Sequence, residues 1–317
     1  TGVQTCALPI CLAVLIGGIV IAAGHFAMAV PNDFTFYLGL VLIVLGTGLL
    51  KPNISAMVGQ LYRPGDARRD AGFSIFYMGI NLGALIAPFI AGTIGESWNW
   101  RAGFGVAGAA MLIGVLQYRM TEHYLGNAGL APANVSDEER SRGWRNVAIG
   151  SALVVLLTAL LYTGTIPVTI TGLAQIFAGG MVAVGFVFFA GVLVFGGLDA
   201  DEKKRVLLIA LFFLCAALFW AGFEQAATTF NLFAQDFTDR SWLGGMFADG
   251  EHPAAWYQSA NPIFVVIFAP VFAWMWVALG RRNLDPSSPA KFGLALVLVG
   301  VGFLVMMWAA QLVVASD

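Results

Sequence analysis

The sequence has 317 residues, of which 59% are hydrophobic and 11% charged, with a formal net charge of −2. Soluble domains contain about 25% charged residues, so this composition argues against a water-soluble protein, and the small net charge gives no sign of a nucleic-acid partner. The three histidines and three cysteines lie without metal-ligand or paired spacing, so we predict no metal site.

Nine apolar runs follow one another along the chain, and each is long enough to cross a membrane as a helix. A hydrocarbon core of about 30 Å needs about 20 helical residues, and unbroken runs favour helices over the short alternating strands of a membrane barrel. We therefore predict an all-α polytopic membrane protein. The runs are 11–30, 36–62, 71–95, 102–119, 146–163, 170–197, 206–234, 257–279 and 292–314.

The ends of the chain and one polar stretch stand apart from these runs. Residues 1–10, TGVQTCALPI, resemble a translated sequencing adapter, so we expect an artefact there and leave them out of fold arguments. The chain also stops three residues after an apolar run, and we expect truncation at that end. The polar stretch 121–145, rich in Gly, Pro and Asn, predicts a linker.

Lysine and arginine residues alternate between the loops, and this distribution predicts the orientation of the helices. The second, fourth, sixth and eighth loops are therefore predicted to be cytoplasmic, whereas the other loops hold only Arg101 and Arg240. The basic residues of the cytoplasmic set are Arg63, Arg68, Arg69, Arg119, Arg140, Arg142, Arg145, Lys203, Lys204, Arg205, Arg281, Arg282 and Lys291.

Lys51 is the one basic residue of the sequence that lies in no loop. It lies about 16 to 22 Å from the two ends of its run at 1.5 Å per residue, too deep for its side chain to reach the interface. An ionisable group at this depth indicates a cavity or a ligand path, and a structural ion pair is the alternative. The adjacent Pro52 predicts either a local helix break or a packing kink.

Other polar side chains lie inside the apolar runs. Tyr77 and Asn81 are four residues apart and so share a helix face, where they can orient a polar ligand. Trp220 lies one turn before Glu224, and a membrane glutamate is a candidate proton site. Asn261 lies near the predicted external end of its run. Helix packing, capping or ordinary hydrogen bonding is the alternative for each of them.

Five stretches together resemble the proton-dependent oligopeptide transporter (POT) family of the major facilitator superfamily. They are GTGLLKPNISAMVGQLY, DAGFSIFYMGINLGALIAP, WNWRAGFGVAG, FWAGFEQ and QSANPIFVVIFAPVFAW, in family order. The resemblance implies a partial major facilitator fold, in which the nine runs are family helices 3–6, two extra helices and helices 7–9. It divides the chain into part of an N-terminal bundle (11–120), a cytoplasmic linker (121–145), an extra helix pair (146–198) and part of a C-terminal bundle (199–317).

The resemblance also implies a function, namely proton-coupled symport of di- and tripeptides by alternating access, with protons as the coupling ion and no cofactor. It implies peptide contacts from Lys51, Tyr77, Asn81, Trp220 and Asn261, and proton coupling through Lys51 and Glu224. The family's first-helix ExxER motif is absent from the sequence, and its tenth-helix glutamate lies beyond the last residue. Without these groups we expect the chain as given not to transport.

Other functions stay open at this stage. A major facilitator carrier of another solute, such as nitrate or an organic anion, would also place a lysine in a cavity. A membrane enzyme would need a nucleophile with its base, or a metal cluster, at one depth, and a receptor or scaffold would leave Lys51 and Glu224 without a role. The expected setting is the cytoplasmic membrane of a bacterium, with the lipid bilayer, peptides and protons as partners; the oligomeric state is left open.

Overall fold

A computed structural model describes residues 10–63, 66, 68–130, 136–167, 169–284 and 286–316. These residues form α-helices, short 3₁₀ and π turns and connecting segments, with no β-strand among them. The α-helices are α1 (Ile10–Ala29), α2 (Asp33–Gln60), α3 (Arg68–Ala87), α4 (Thr93–Ser97), α5 (Trp100–Thr121), α6 (Asp137–Tyr162), α7 (Ile170–Phe195), α8 (Ala200–Phe223), α9 (Thr229–Phe237), α10 (Ala260–Arg281) and α11 (Ser288–Ser316).

Nine helical stretches in the described part of the chain are long and apolar enough to cross a membrane. They coincide one by one with the nine predicted runs, so the prediction of an all-α multi-pass membrane protein is confirmed. The stretches are Ile10–Ala29, Asp33–Gln60, Gly72–Ser97, Trp100–Leu125, Asp137–Tyr162, Thr171–Phe195, Ala200–Phe237, Ala254–Arg281 and Pro289–Ala315.

Helix α6 begins at Asp137, ahead of the apolar run that starts at residue 146. The Ser136 hydroxyl accepts the Glu139 N–H at 3.2 Å, and the Glu139 carboxylate accepts the Ser136 N–H at 3.1 Å. This capping box satisfies two N–H groups that the first helical turn would otherwise leave unpaired. The last part of the predicted linker is therefore helical.

The described residues pack into two compact units. One unit takes the residues up to Thr165 together with Asp239–Phe268, and the other takes Ile166–Thr238 together with the residues from Ala269 onward. This division is one of packing, and the bundle and linker boundaries expected from the sequence stay predictions.

Within the first unit, α1 and α2 pack with their backbones in contact. A Cβ atom added at Gly17 would lie 2.8 Å from the Gly46 carbonyl oxygen, and one added at Gly24 would lie 2.8 Å from the Gly39 carbonyl oxygen. Any side chain at these positions would force the helices apart, whereas small residues let membrane helices gain close van der Waals contact. The two helices therefore form a tight pair.

A π turn, Pro88–Gly92, joins α3 to α4, and a tight corner then leads into α5. Proline has no N–H for the α-helical ladder, and a π turn is one way in which a helix accommodates that loss. At the corner, Asn99 accepts the Arg101 N–H at 2.8 Å and so caps α5. Trp100 lies against Gly95, where an added Cβ would meet the ring at 2.7 Å. The stretch WNWRAGF therefore forms the corner between α4 and α5.

The segment of residues 239–259, which is predicted to be external and is called the external segment below, belongs to the first unit and connects α9 to α10. Its Arg240 pairs with Glu251 at 2.6 Å and donates to the His252 carbonyl oxygen at 2.6 Å. The His252 ring is buried beside Trp242 and Trp256. Its Nδ1 lies 2.6 Å from the Arg240 carbonyl oxygen, which only accepts, so Nδ1 carries the proton. The segment is thus internally bonded.

In the second unit, α8 packs against α11. The rings of Phe212 and Phe292 lie 5.1 Å apart, and Gly222 leaves room for Phe303, whose ring would meet an added Cβ at 3.0 Å. The apolar run 206–234 was expected as one crossing, and it consists of α8, a 3₁₀ turn at Glu224–Ala227 and α9.

Candidate functional site

Lys51 lies on α2, which stays helical from Asp33 to Gln60 even though Pro52 follows the lysine. The local break that Pro52 suggested is therefore not formed. The Asn53 amide donates to the Leu49 carbonyl oxygen at 2.6 Å, so a side chain adds a hydrogen bond to the turn that the proline ring disturbs. The Lys51 side chain is exposed.

The ion pair considered as an alternative role for Lys51 is not found in the described part of the chain. The ion pairs there join other residues, and each of them involves a loop or a helix end. An ionisable group on a membrane-crossing helix is a candidate functional residue, because such groups usually face a cavity or a partner.

Tyr77 and Asn81 lie one turn apart on α3 and differ in how freely their side chains project. Asn81 is only 7% exposed, and its amide donates to the Tyr77 carbonyl oxygen at 2.9 Å. The Tyr77 side chain is 57% exposed. The helix backbone therefore holds the amide of Asn81, while the phenol of Tyr77 is free to reach a ligand.

Asn261 lies in the first turn of α10 and is exposed. Just before it, the buried Ser259 hydroxyl donates to the Leu85 carbonyl oxygen at 2.8 Å. Leu85 lies one turn beyond Asn81 on α3, so this bond ties the start of α10 to the helix that carries Tyr77 and Asn81. The first unit thus contains four of the predicted site residues, counting Lys51.

Glu224 lies in the second unit, at the point where α8 ends and the 3₁₀ turn begins. Its carboxylate is exposed. Thr228 leaves the helical region with φ −118° and ψ −91°. Across this break, Gln225 donates to the Ala221 carbonyl oxygen at 3.3 Å and accepts from the Thr229 hydroxyl at 2.6 Å. Glu224 therefore sits at a helix break that a neighbouring side chain spans.

Trp220 lines a cavity of about 410 Å³ between α8 and α11. The Lys291 ammonium lies at the same cavity, 4.5 Å from the centroid of the Trp276 ring, a cation–π distance. The surroundings of Trp220 suit an apolar wall for a ligand and equally suit helix packing. The lining residues are Ala216, Phe219, Trp220, Lys291, Phe292, Ala295 and Leu296.

The structure also shows a connection that the sequence analysis missed. The Glu96 carboxylate on α4 accepts the N–H groups of Ala254 and Ala255 at 2.8 and 2.9 Å, and the Thr93 hydroxyl accepts the Trp256 indole N–H at 2.8 Å. The partners of Glu96 are backbone groups more than 150 residues away, and such partners leave no motif in a sequence. The one available signal was a carboxylate directly after an apolar run.

Among the described residues, no group of three or more His, Cys, Asp or Glu side chains comes together. The roles of Lys51, Tyr77, Asn81, Trp220, Glu224 and Asn261 in binding or proton transfer stay predictions.

Comparison with known proteins gives consistent matches. The family model described as the POT family matches residues 11–315. Peptide transporter YePEPT of Yersinia enterocolitica subsp. palearctica is 41% identical over 313 residues, covering 96% of this chain and 60% of the relative. A di-/tripeptide transporter of Lactococcus lactis subsp. lactis is 36% identical over 301 residues, covering 92% of this chain and 59% of the relative.

A solved structure is also similar, the crystal structure of peptide transporter POT in complex with sulfate. It superimposes with a TM-score of 0.80 at 39% sequence identity, covering 94% of this chain and 60% of that chain. The chain therefore spans about 60% of the length of the relatives it matches.

Proposed function

This chain belongs to the POT family, and we propose that the protein containing it carries di- and tripeptides across the cytoplasmic membrane together with protons. The work done is transport, not catalysis. Two helical bundles move around a site near the middle of the membrane and expose it to each side in turn.

The observation that carries the proposal is Lys51, an exposed ammonium group on a membrane-crossing helix. A peptide is a zwitterion, so its site needs charge of each sign at opposite ends and tolerant walls between. Lys51 supplies the positive charge for the peptide carboxylate. In the same unit, Tyr77, Asn81 and Asn261 offer a phenol and two amides, which orient polar groups of a ligand.

Glu224 supports the proton half of the proposal. A carboxylate that gains and loses a proton changes its preference for water and for nearby charges, so it favours one conformation when charged and another when neutral. Its place at the end of α8, where the helix gives way to a 3₁₀ turn, puts this change of charge at a point where the backbone is already irregular.

The same lysine also suits an anion without an amino group, such as nitrate or an organic acid. One similar structure holds sulfate, an anion with no peptide character. A peptide carrier and an anion carrier differ in the second requirement, because only the peptide needs a partner for its amino end.

The proposal is tested by uptake into proteoliposomes that hold the full protein. We expect a labelled dipeptide to accumulate when the outside is acidic relative to the inside, and a protonophore to stop this accumulation. Unlabelled di- and tripeptides should compete, whereas nitrate, acetate and free amino acids at the same concentration should not. Competition by the anions alone would favour the anion carrier, and uptake that ignores the pH gradient would rule out proton coupling.

A further inference from the structure

The Glu96 carboxylate is bonded to the start of a helical element that lies far away in the sequence. Ala254 and Ala255 open the 3₁₀ turn that runs into α10, and the first N–H groups of a helical element have no partner within it. Both of these N–H groups donate to Glu96. A carboxylate suits this position because it carries two acceptor oxygens and a charge opposite in sign to the helix terminus.

Further contacts surround this bond and join the same two segments. The Phe89 and Trp256 rings lie 5.0 Å apart at an angle of 61°, the Trp256 indole donates to Thr93, and a Cβ added at Gly92 would lie 2.7 Å from the Ala255 Cβ. We call this contact the external latch. Residues 89–96 form one side of it and residues 254–259 form the other, and the hydrogen bond from Ser259 to Leu85 of α3 lies beside it. Ala254 and Ser259 are fully buried in it.

The two sides of the external latch come from different parts of the predicted architecture. Residues 89–96 follow α3 in the part expected as the N-terminal bundle, and residues 254–259 lead into α10 in the part expected as the C-terminal bundle. The distribution of Lys and Arg places both on the external side of the membrane. Alternating access separates the two bundles on that side once in each cycle.

We propose that Glu96 is a positioning residue of the transport cycle, which fastens the start of α10, and with it Asn261, to the end of α3 and releases it when the external side opens. The proposal rests on the proposed function, because only alternating access requires the two segments to part. The chemistry of the contact suits release, since the carboxylate and the two N–H groups are hydrated once they separate.

The release is tested by the exposure of a buried reporter. Ser259→Cys is nearly isosteric at a position with 0% exposure, and a membrane-impermeant thiol reagent added to intact cells reaches only the external side. In the full protein, Glu96→Ala should raise the labelling rate of this cysteine about tenfold or more, because each hydrogen bond to a charged group shifts a two-state equilibrium by roughly that factor. Glu96→Gln keeps one carbonyl acceptor and should raise the rate by a smaller factor.

Two controls accompany these variants. Asp249→Asn removes the same charge from the exposed surface of the external segment and should leave the labelling rate unchanged. A cysteine at the exposed Ser241 should label rapidly in every variant, which shows that the segment is on the outside and the protein is assembled. Labelling of the parent without an introduced cysteine gives the background from the natural cysteines.

Release during transport is tested in the parent reporter protein by adding a dipeptide in an acidic external medium. Turnover should raise the labelling rate of Ser259→Cys several-fold, and Glu96→Ala should lose this dependence because its latch is already open. Equal labelling of the parent and Glu96→Ala would overturn the proposal, as would the absence of both Glu96 variants from the membrane, since Glu96 would then be needed for assembly. A parent that shows no uptake at all refutes the proposed function, whereas normal uptake with unchanged labelling refutes the latch alone.

Discussion

The membrane crossings that carry Lys51 and Glu224 differ in whether the helix is continuous, and in each the sequence suggests the opposite. Helix α2 contains a proline directly after Lys51 and continues for two more turns. The seventh crossing contains no proline between Ala200 and Phe237, yet it breaks into α8, a 3₁₀ turn and α9 at Glu224.

The difference teaches that proline alone does not decide whether a membrane helix continues. Beside Pro52, the Asn53 amide bonds back to the carbonyl oxygen four residues earlier, and the helix goes on. At the other site, Gln225 makes the same kind of bond to Ala221, yet the backbone leaves the helical region at Thr228. Lys51 therefore lies on a continuous helix, while Glu224 lies at a helix break.

The largest expected effect comes from removing the charge of Lys51 on the continuous helix α2. Lys51→Ala should lower dipeptide uptake at least about thirtyfold, since loss of one partner from a desolvated charge pair costs roughly 2–5 kcal/mol. Uptake of a labelled dipeptide under an acid-outside gradient measures it. Lys204→Ala removes a lysine that is exposed and pairs with Asp201, and it should transport normally. Unchanged uptake by Lys51→Ala would refute its role.

The second expected effect concerns Glu224 at the helix break. Glu224→Gln keeps the shape of the side chain and removes its charge, so uptake should lose its dependence on the pH gradient. Exchange of labelled for unlabelled peptide, which needs no net proton movement, should persist at a reduced rate. Glu138→Gln, a change at an exposed carboxylate that is predicted to be cytoplasmic, should keep the wild-type pH profile. The same profile in Glu224→Gln would place proton coupling elsewhere.

A third, smaller effect is expected from the loss of the Asn53 side-chain hydrogen bond on α2. Asn53→Ala removes the donor to the Leu49 carbonyl oxygen and should reduce stability by about 1 kcal/mol, the usual contribution of one hydrogen bond. The melting temperature of the purified protein should fall. A variant as stable as the parent would show that α2 needs no help at Pro52.

The smallest effect is expected from the loss of the Gln225 side-chain hydrogen bonds at the helix break. Gln225→Ala removes a side chain that is bonded between Ala221 and Thr229 at a place where the backbone is already broken. It should reduce stability by less than Asn53→Ala, roughly 0.5 kcal/mol, the lower end for one hydrogen bond. A larger decrease in melting temperature than that of Asn53→Ala would contradict the expected order of the two variants.

Much of the fold could be predicted from the sequence because one physical requirement dominates it. Every crossing needs about 20 apolar residues, so the nine runs match nine spans in the described part of the chain, and five motifs in order indicated the family. The start of α6 was also readable, since Ser136 and Glu139 have the spacing of a capping box, but the polar composition there suggested a linker.

The rest could not be predicted because it depends on contacts between distant residues. The break at Glu224 lies inside an unbroken apolar run, and hydropathy does not register it. Glu96 binds backbone N–H groups, which every residue except proline carries, so no residue type at its partner positions signals the contact. The positions of Lys51, Tyr77 and Asn261 could be read from the sequence, and the structure added that their side chains are exposed.

The glycine contacts between α1 and α2 have a practical consequence for following the protein at work. Because Gly17 meets Gly46 and Gly24 meets Gly39 without side chains between them, we expect the two helices to move together. A fluorophore on the exposed Ala23 of α1 should therefore report displacements of α2, and of Lys51 with it, without any change to the lysine itself.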